Sequence, residues 1–353
     1  MLKKKLLAAA AAALVLGSSL TACGNAAEAG SNNAASGEAI KFNWGTAQGS
    51  YLAFYVASER GYFQAEGLDP TFQVFQTGTP LLAGLESKSL DIVTTGLASV
   101  FALGQGIPLR YITLEGDASS AEGLVVAKDS PIASVKDLAQ AGKIGVPTGT
   151  CAQVSAYHAA AAAGLKYSDL DTVNISPNLF ANAFESKSIG AGFSWSPYLV
   201  DLEQQGNKLI GFDTEWVPGG GACPEMHAGR PEFLDAHPEV PQKMLRALSK
   251  ARADINADSN VATQVLMKRL SVSEAVAKET ARRYIAAQPT LQDELDAGTR
   301  FSFTDEKGLL AQLTLASETF AQLGVIKTPV PVDTLKAALD SRYIKAAVAA
   351  GVK

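Results

Sequence analysis

Three cysteines, three histidines and four methionines in 353 residues leave little from which to build a metal or redox centre. His158, His227 and His237 are scattered and lack ligand spacing. No G-x-S-x-G, H-E-x-x-H or G-x-x-x-x-G-K occurs, which removes the nucleophile elbow, the zinc-protease helix and the phosphate loop. The net charge is −5 and the body of the chain has no basic block, so nucleic acid is excluded as a partner. After Leu16 no apolar run approaches the ~20 residues a spanning helix needs. These absences point to a protein that is not an enzyme and carries neither cofactor nor metal.

The ends are informative. Lys3, Lys4 and Lys5 precede an apolar stretch from Leu6 to Leu16 and then small residues, the order of a secretory signal peptide. Leu20-Thr21-Ala22-Cys23 resembles a bacterial lipobox, which makes residues 1–22 the signal and Cys23 the lipidated first residue of the mature chain. Residues 23–39 are small and polar and read as a flexible tether. The expected location is therefore the outer, extracytoplasmic face of the cell membrane, held by lipid. Lipidation of Cys23 leaves Cys151 and Cys223, and an even remainder on the oxidising side favours a disulfide.

From Ile40 the chain is long enough for two domains, 47% hydrophobic and 18% charged, an ordinary globular balance. "IKFNWGTA", "GLDPTFQVFQ", "LDIVTTG" and "LRYITLE" read as strands, with helices between them that start near Ser50, at Thr77-Gly78-Thr79 ahead of Pro80, and at "LASVF". The order restarts at "EGLVVAK" and runs through "KIGV", an Ala-rich helix ended by Gly164, "DTVNIS" and "IGAGFSW". Each half carries Glu-Ser-Lys-Ser between a helix and a strand, at Glu86–Ser89 and at Glu185–Ser188. Two similarly built α/β lobes with mostly parallel sheets follow. From Arg230 apolar residues fall at helical spacing.

Candidate binding residues collect where predicted strands open into helices: Gln48-Gly49-Ser50, Thr77-Gly78-Thr79, Thr95-Gly96-Leu97-Ala98-Ser99 and Gly149-Thr150-Cys151-Ala152. Ligands of open α/β sheets bind at such ends, and helix N-termini there offer N–H groups to an anion. The same turns also read as plain connections. Tyr51 and Trp195 are candidate walls, Trp195 reading equally as a core residue, and Trp216 precedes a Gly-rich loop. His227, close to Cys223, is either a structural residue or a ligand contact; His158 reads as structural.

"SERGYFQAEGLDPTFQVF", "LDIVTTGLAS", "IGVPTGT" and "FSWSPYL" together resemble the sulfonate, taurine and nitrate branch of bacterial ABC-importer substrate-binding lipoproteins. The resemblance implies a periplasmic-binding-protein-like fold of type II with a two-stranded hinge. It places crossings near Val125–Lys128 and Met226–Gly229, so that 40–125 with 229–353 form lobe one and 126–228 lobe two. It implies a monomeric receptor that captures a small anion, a sulfonate first, and passes it to permease subunits. Taurine-binding relatives carry an acid where this chain has Ser196, so Asp117 or Glu122 would have to meet an amine. An aromatic or thiamine-precursor ligand is the alternative, suited to Tyr51 and Trp195.

Overall fold

A computed structural model describes residues 38–353. The signal, Cys23 and nearly all of the expected tether lie outside the described residues. No described helix is long and apolar enough to cross a membrane.

Among the described residues, ten strands form two five-stranded sheets. The first contains β1 (Ile40–Ala47), β2 (Leu68–Phe75), β3 (Ile92–Thr95), β4 (Arg110–Asp117) and β10 (Pro224–Gly229), in the order β2-β1-β3-β10-β4. The second contains β5 (Glu122–Val126), β6 (Lys143–Gly145), β7 (Asp171–Val173), β8 (Ala191–Trp195) and β9 (Lys208–Phe212), in the order β7-β6-β8-β5-β9. Within each sheet the first three strands pair in parallel, and the fourth in order runs antiparallel to both its neighbours. The two lobes therefore share one topology. In each, the antiparallel strand is the one the chain lays down just after crossing over from the other sheet.

This arrangement corrects the expected boundaries. β5 lies wholly in the second sheet and β10 wholly in the first. The chain thus passes between sheets at 118–121 and again just before Pro224, not at Val125–Lys128 and Met226–Gly229. The two passages lie side by side: the Ala118 N–H donates to the Cys223 carbonyl at 2.9 Å, and the Cys223 N–H to Ser119 Oγ at 3.1 Å. The strands β9 and β10 were not read from the sequence.

Burial explains the strand choices. β3, β5, β8 and β10 are buried at every position, as strands covered on both faces must be. On the first sheet Trp44 meets Phe54, Phe63 and Phe72 with ring centroids 4.9–5.8 Å apart. The helical C-terminal part joins this same core through residues such as Leu245, Leu266, Leu313 and Phe320. A second core, including Leu124, Ile144, Ala156, Phe193 and Trp216, fills the other lobe.

The repeated Glu-Ser-Lys-Ser phrase has one structural job in both lobes. The helices Leu81–Glu86 and Phe180–Glu185 end on its glutamate. Lys88 and Lys187 then take the left-handed conformation, with φ of 60° and 56°. Ser87 Oγ donates to the Ala83 carbonyl at 2.7 Å and Ser186 Oγ to the Asn182 carbonyl at 2.8 Å. Ser89 and Ser188 reach back to Gly84 and Ala183. The phrase is a C-terminal cap that turns the chain into β3 or β8, whose far ends both reach the space between the lobes.

Candidate functional site

The carboxyl ends of β1, β3 and β8 and the amino ends of β5 and β10 converge on one cavity of about 40 Å³, a volume on the scale of ordered water. Antiparallel insertion of β5 and β10 has a chemical result. It brings Glu122, the first residue of β5, and Glu225, the second of β10, to a rim otherwise built from strand ends and helix starts. Each lobe supplies one carboxyl.

Of the residues expected at a ligand, Gln48, Gly49, Tyr51, Gly78, Gly96, Leu97, Ala98, Glu122, Thr150, Cys151 and Trp195 line the cavity. Thr95, which opens one of the candidate turns, lines it too; Ala47, Cys223 and Glu225 line it as well and were not expected there. The other candidates are used elsewhere. Ser50 Oγ donates to the Ser196 carbonyl at 2.9 Å instead of capping the Leu52–Glu59 helix. Ser196 Oγ donates to the Ala121 carbonyl at 3.1 Å. Ser99 Oγ donates to the Gly96 carbonyl, and Ala152 is packed in the second core. Thr77 is half-buried and outside the lining. Asp117 pairs with Arg300 at 2.8 Å and accepts the Ser119 N–H, so it is committed to the passage between lobes and not to a ligand amine.

The donors expected for an anion are largely committed too. Thr79 Oγ1 donates to the Thr148 carbonyl and Thr150 Oγ1 to the Pro147 carbonyl, so these hydroxyls hold loops rather than face the cavity as donors. The N-terminus of the Leu52–Glu59 helix is already answered: Glu115 Oε1 accepts from the Ala53 N–H at 2.7 Å and from the Phe54 N–H at 3.4 Å.

His227 is structural. It is fully buried behind the cavity, with Nε2 2.9 Å from Glu115 Oε2 and Nδ1 2.7 Å from Thr94 Oγ1. Trp44 Nε1–H donates to that same Thr94 oxygen, which leaves the Thr94 proton for Nδ1 and the imidazole proton on Nε2 for Glu115. One directed chain of bonds therefore holds Glu115 as an acceptor beneath the helix start. His158 contacts Thr319 Oγ1 at 3.3 Å, and burial lowers its pKa.

The walls and the floor are built from both lobes. Trp195 is buried and its Nε1–H donates to the Gln48 carbonyl at 3.1 Å, from one lobe to the other. Cys151 and Cys223 form a disulfide that lies against Gly96; a Cβ on Gly96 would come within 2.8 Å of Cys151 Sγ. The disulfide ties the first turn of the Cys151–Ala162 helix to the passage beside Ala118, not to a segment inside lobe two.

The electrostatics are one-sided. No Lys, Arg or His lines the cavity among the described residues. Burial drives the pKa of Glu122 well above the usual carboxylate range, with Asp213, Glu225 and Asp117 adding to it. Burial does the same to Glu225, helped by Glu115 and Asp117. Glu122 Oε2 lies 3.1 Å from Cys223 Sγ. A disulfide sulfur has no proton to give, so this contact supplies Glu122 with no hydrogen-bond donor. Glu122 Oε1 and Glu225 Oε2 are buried without any hydrogen-bond partner in the protein.

Residues 48–262 match the model of the family described as NMT1/THI5 like, which is more than half of the chain. The chain belongs to the NMT1/THI5-like family. It is 29% identical over 213 residues to a candidate aliphatic sulfonates-binding protein of Bacillus subtilis, covering 58% of this chain and 62% of that one. The chain thus spans less than two thirds of that relative's length. It is 25% identical to the riboflavin-binding protein RibY of Chloroflexus aurantiacus, with 80% of each chain covered. The periplasmic aliphatic sulphonate binding protein of Escherichia coli superposes with a TM-score of 0.69 at 21% identity, covering 85% of this chain and 92% of that chain. The structural likeness establishes the two-lobed α/β fold of periplasmic binding proteins. The named relatives of this NMT1/THI5-like chain are binding proteins and not enzymes.

Proposed function

We propose that this protein is the extracytoplasmic, lipid-anchored receptor of an ATP-driven importer: a monomer, exported by residues 1–22 and held through Cys23, that closes two lobes over a small solute and presents the closed form to permease subunits. The observation that carries the reading is the cavity itself. Both lobes line it, hydrogen bonds such as Trp195 to Gln48 join them across it, and its volume admits little more than water until the lobes part. Hinge bending at the paired passages, 118–121 and the segment before Pro224, supplies that opening.

The cavity favours a flat ligand that presents hydrogen-bond donors. Tyr51 and Trp195 provide aromatic surface, and the free carboxyl oxygens of Glu122 and Glu225 are acceptors. This places an aromatic, nitrogen-bearing solute of the thiamine-precursor kind first. A sulfonate is the second reading, favoured by what the Bacillus and Escherichia relatives are named for and by the Cys151–Ala162 helix, whose first turn opens on the cavity. Identifying the solute that co-purifies, by mass spectrometry, decides the ligand. The receptor reading predicts that this solute is recovered unchanged and that adding it to stripped protein shrinks the radius of gyration in small-angle scattering. Turnover of the solute, or a scattering curve unmoved at saturation, would count against it.

A further inference from the structure

We propose that Glu122 and Glu225 act as a proton-holding carboxyl pair, one from each lobe, which makes the cavity selective for ligands bearing N–H donors or positive charge and makes lobe closure take up protons whenever the ligand does not bring that charge. The inference rests on the receptor reading and deepens it by naming the ligand class.

Glu122 is 1% exposed and Glu225 5% exposed, both line the cavity, and each has one oxygen with no partner. A buried carboxylate without a cation or donors is costly. Every charged neighbour makes the cost larger or is already engaged. Glu122 faces the disulfide sulfur of Cys223, Asp213 from the Asp213–Trp216 helix, Glu225 from β10 and Asp117 from the end of β4. Glu225 faces Glu115 and Asp117 of β4. The phenols of Tyr51, Tyr55 and Tyr284, which sense the Glu225 charge, are pushed up by burial and stay neutral. Arg300 pairs with Asp117, and His227 donates to Glu115.

Charge balance then fixes the chemistry. Closing the lobes removes two carboxyls from water, and each must be neutralised by a proton or by the ligand. A neutral ligand leaves both neutralisations to solvent protons, a monocation leaves one, and an anion adds a charge that nothing in the lining meets. A neutral Glu122 would carry its proton on one oxygen and keep the other as an acceptor for a ligand N–H, and its Oε1 has no partner in the protein. The sign follows from linkage. A pKa higher in the closed form than in the open form means that closure takes up protons. Closure is therefore favoured as pH falls from the closed-form pKa toward the ordinary Glu value of 4.5, and gains nothing more below both.

Small-angle scattering on stripped, full-length mature protein tests this without a ligand. The radius of gyration should be smaller at about pH 5 than at about pH 8, the direction that the raised carboxyls set. The E122Q/E225Q variant, neutral at both positions, should be compact at both pH values. A wild-type radius that ignores pH in a protein that still contracts around its co-purified solute overturns the carboxyl pair and leaves the receptor standing. Contraction under neither condition overturns both. Calorimetry with 4-aminopyrimidine, n-propylammonium and propane-1-sulfonate reads the ligand class. Binding of propane-1-sulfonate with equal affinity by wild type and E122Q/E225Q defeats the selectivity claim; binding of either nitrogen compound, weakened at least tenfold by the double variant, supports it.

Discussion

Glu294 shows what a buried acid costs when it has been given partners. It is fully buried, accepts from Thr113 Oγ1 at 2.8 and 2.9 Å and from the Leu114 N–H at 3.1 Å, and lies 3.7 Å from Arg252. Burial still pushes its pKa from 4.5 up to about 7, against the pull of Arg252. Above that value the acid is charged in both folded and unfolded chains, and folding bears the full cost. As pH falls toward 4.5 the folded chain binds a proton that the unfolded chain does not, and stability rises, by at most roughly 3 kcal/mol. Glu294→Gln should flatten this dependence. Urea denaturation of both proteins at about pH 5 and about pH 8 checks it; parallel shifts in the two proteins would refute the assignment. Glu294 also marks what sequence cannot show, because its partners lie some 180 residues away. Glu225 was hidden for a related reason. "PEMHAG" mixes proline, an acid and a histidine, so it lacks the apolar run of a buried strand, and its polar groups are answered only by the folded neighbours or by a ligand. Cys151, Gly96 and Trp195 could be singled out because strand ends and small-residue turns announce themselves locally, whereas Glu122 came only through the family resemblance, as an alternative to Asp117 for the acid missing at Ser196.

At the level of elements, the two capped helices invite a direct comparison. Lys88 and Lys187 hold a left-handed backbone that costs a side-chain-bearing residue about 1–2 kcal/mol, whereas glycine adopts it freely but loses roughly 0.5–1 kcal/mol more entropy on folding. Lys187→Gly should thus stabilise the protein by about 0.5–1 kcal/mol, and Lys88→Gly by a similar amount, measured as a rise in denaturation midpoint at unchanged slope. A fall in the midpoint for both would show that the lysine side chains carry a role beyond the turn. The phrase suggested equivalent places in two lobes, and the shared strand order bears that out. Periodicity found the helices of the C-terminal part and most of the strands. It misplaced the caps. The hydroxyls of Ser50 and Thr79 donate to carbonyls of the other lobe and do not accept from their own helices' N–H groups, and a sequence does not show which of these a hydroxyl will do.

For the molecule as a whole, the disulfide closes a loop of 72 residues that contains most of the second sheet. In the chain-entropy picture such a link stabilises by up to about 4 kcal/mol. The Cys151→Ala/Cys223→Ala protein should lose part of this in urea denaturation, and the unfolded, unreduced wild type should show no thiol to a titrant. An unchanged denaturation curve would place the bond's value elsewhere. The pair was legible from cysteine arithmetic, but its position was not: Cys223 sits at the second passage because β10 belongs to the first sheet. That membership also orders events in time. β3 and β4 are not neighbours; a strand's width separates them, and the strand that fills it is made more than a hundred residues after β4. The second lobe's strands, by contrast, are consecutive from Glu122 to Phe212. A chain emerging from its N-terminus can finish the lobe it starts second while the lobe it starts first stands open, its middle seam waiting for six residues that bring Glu225 with them.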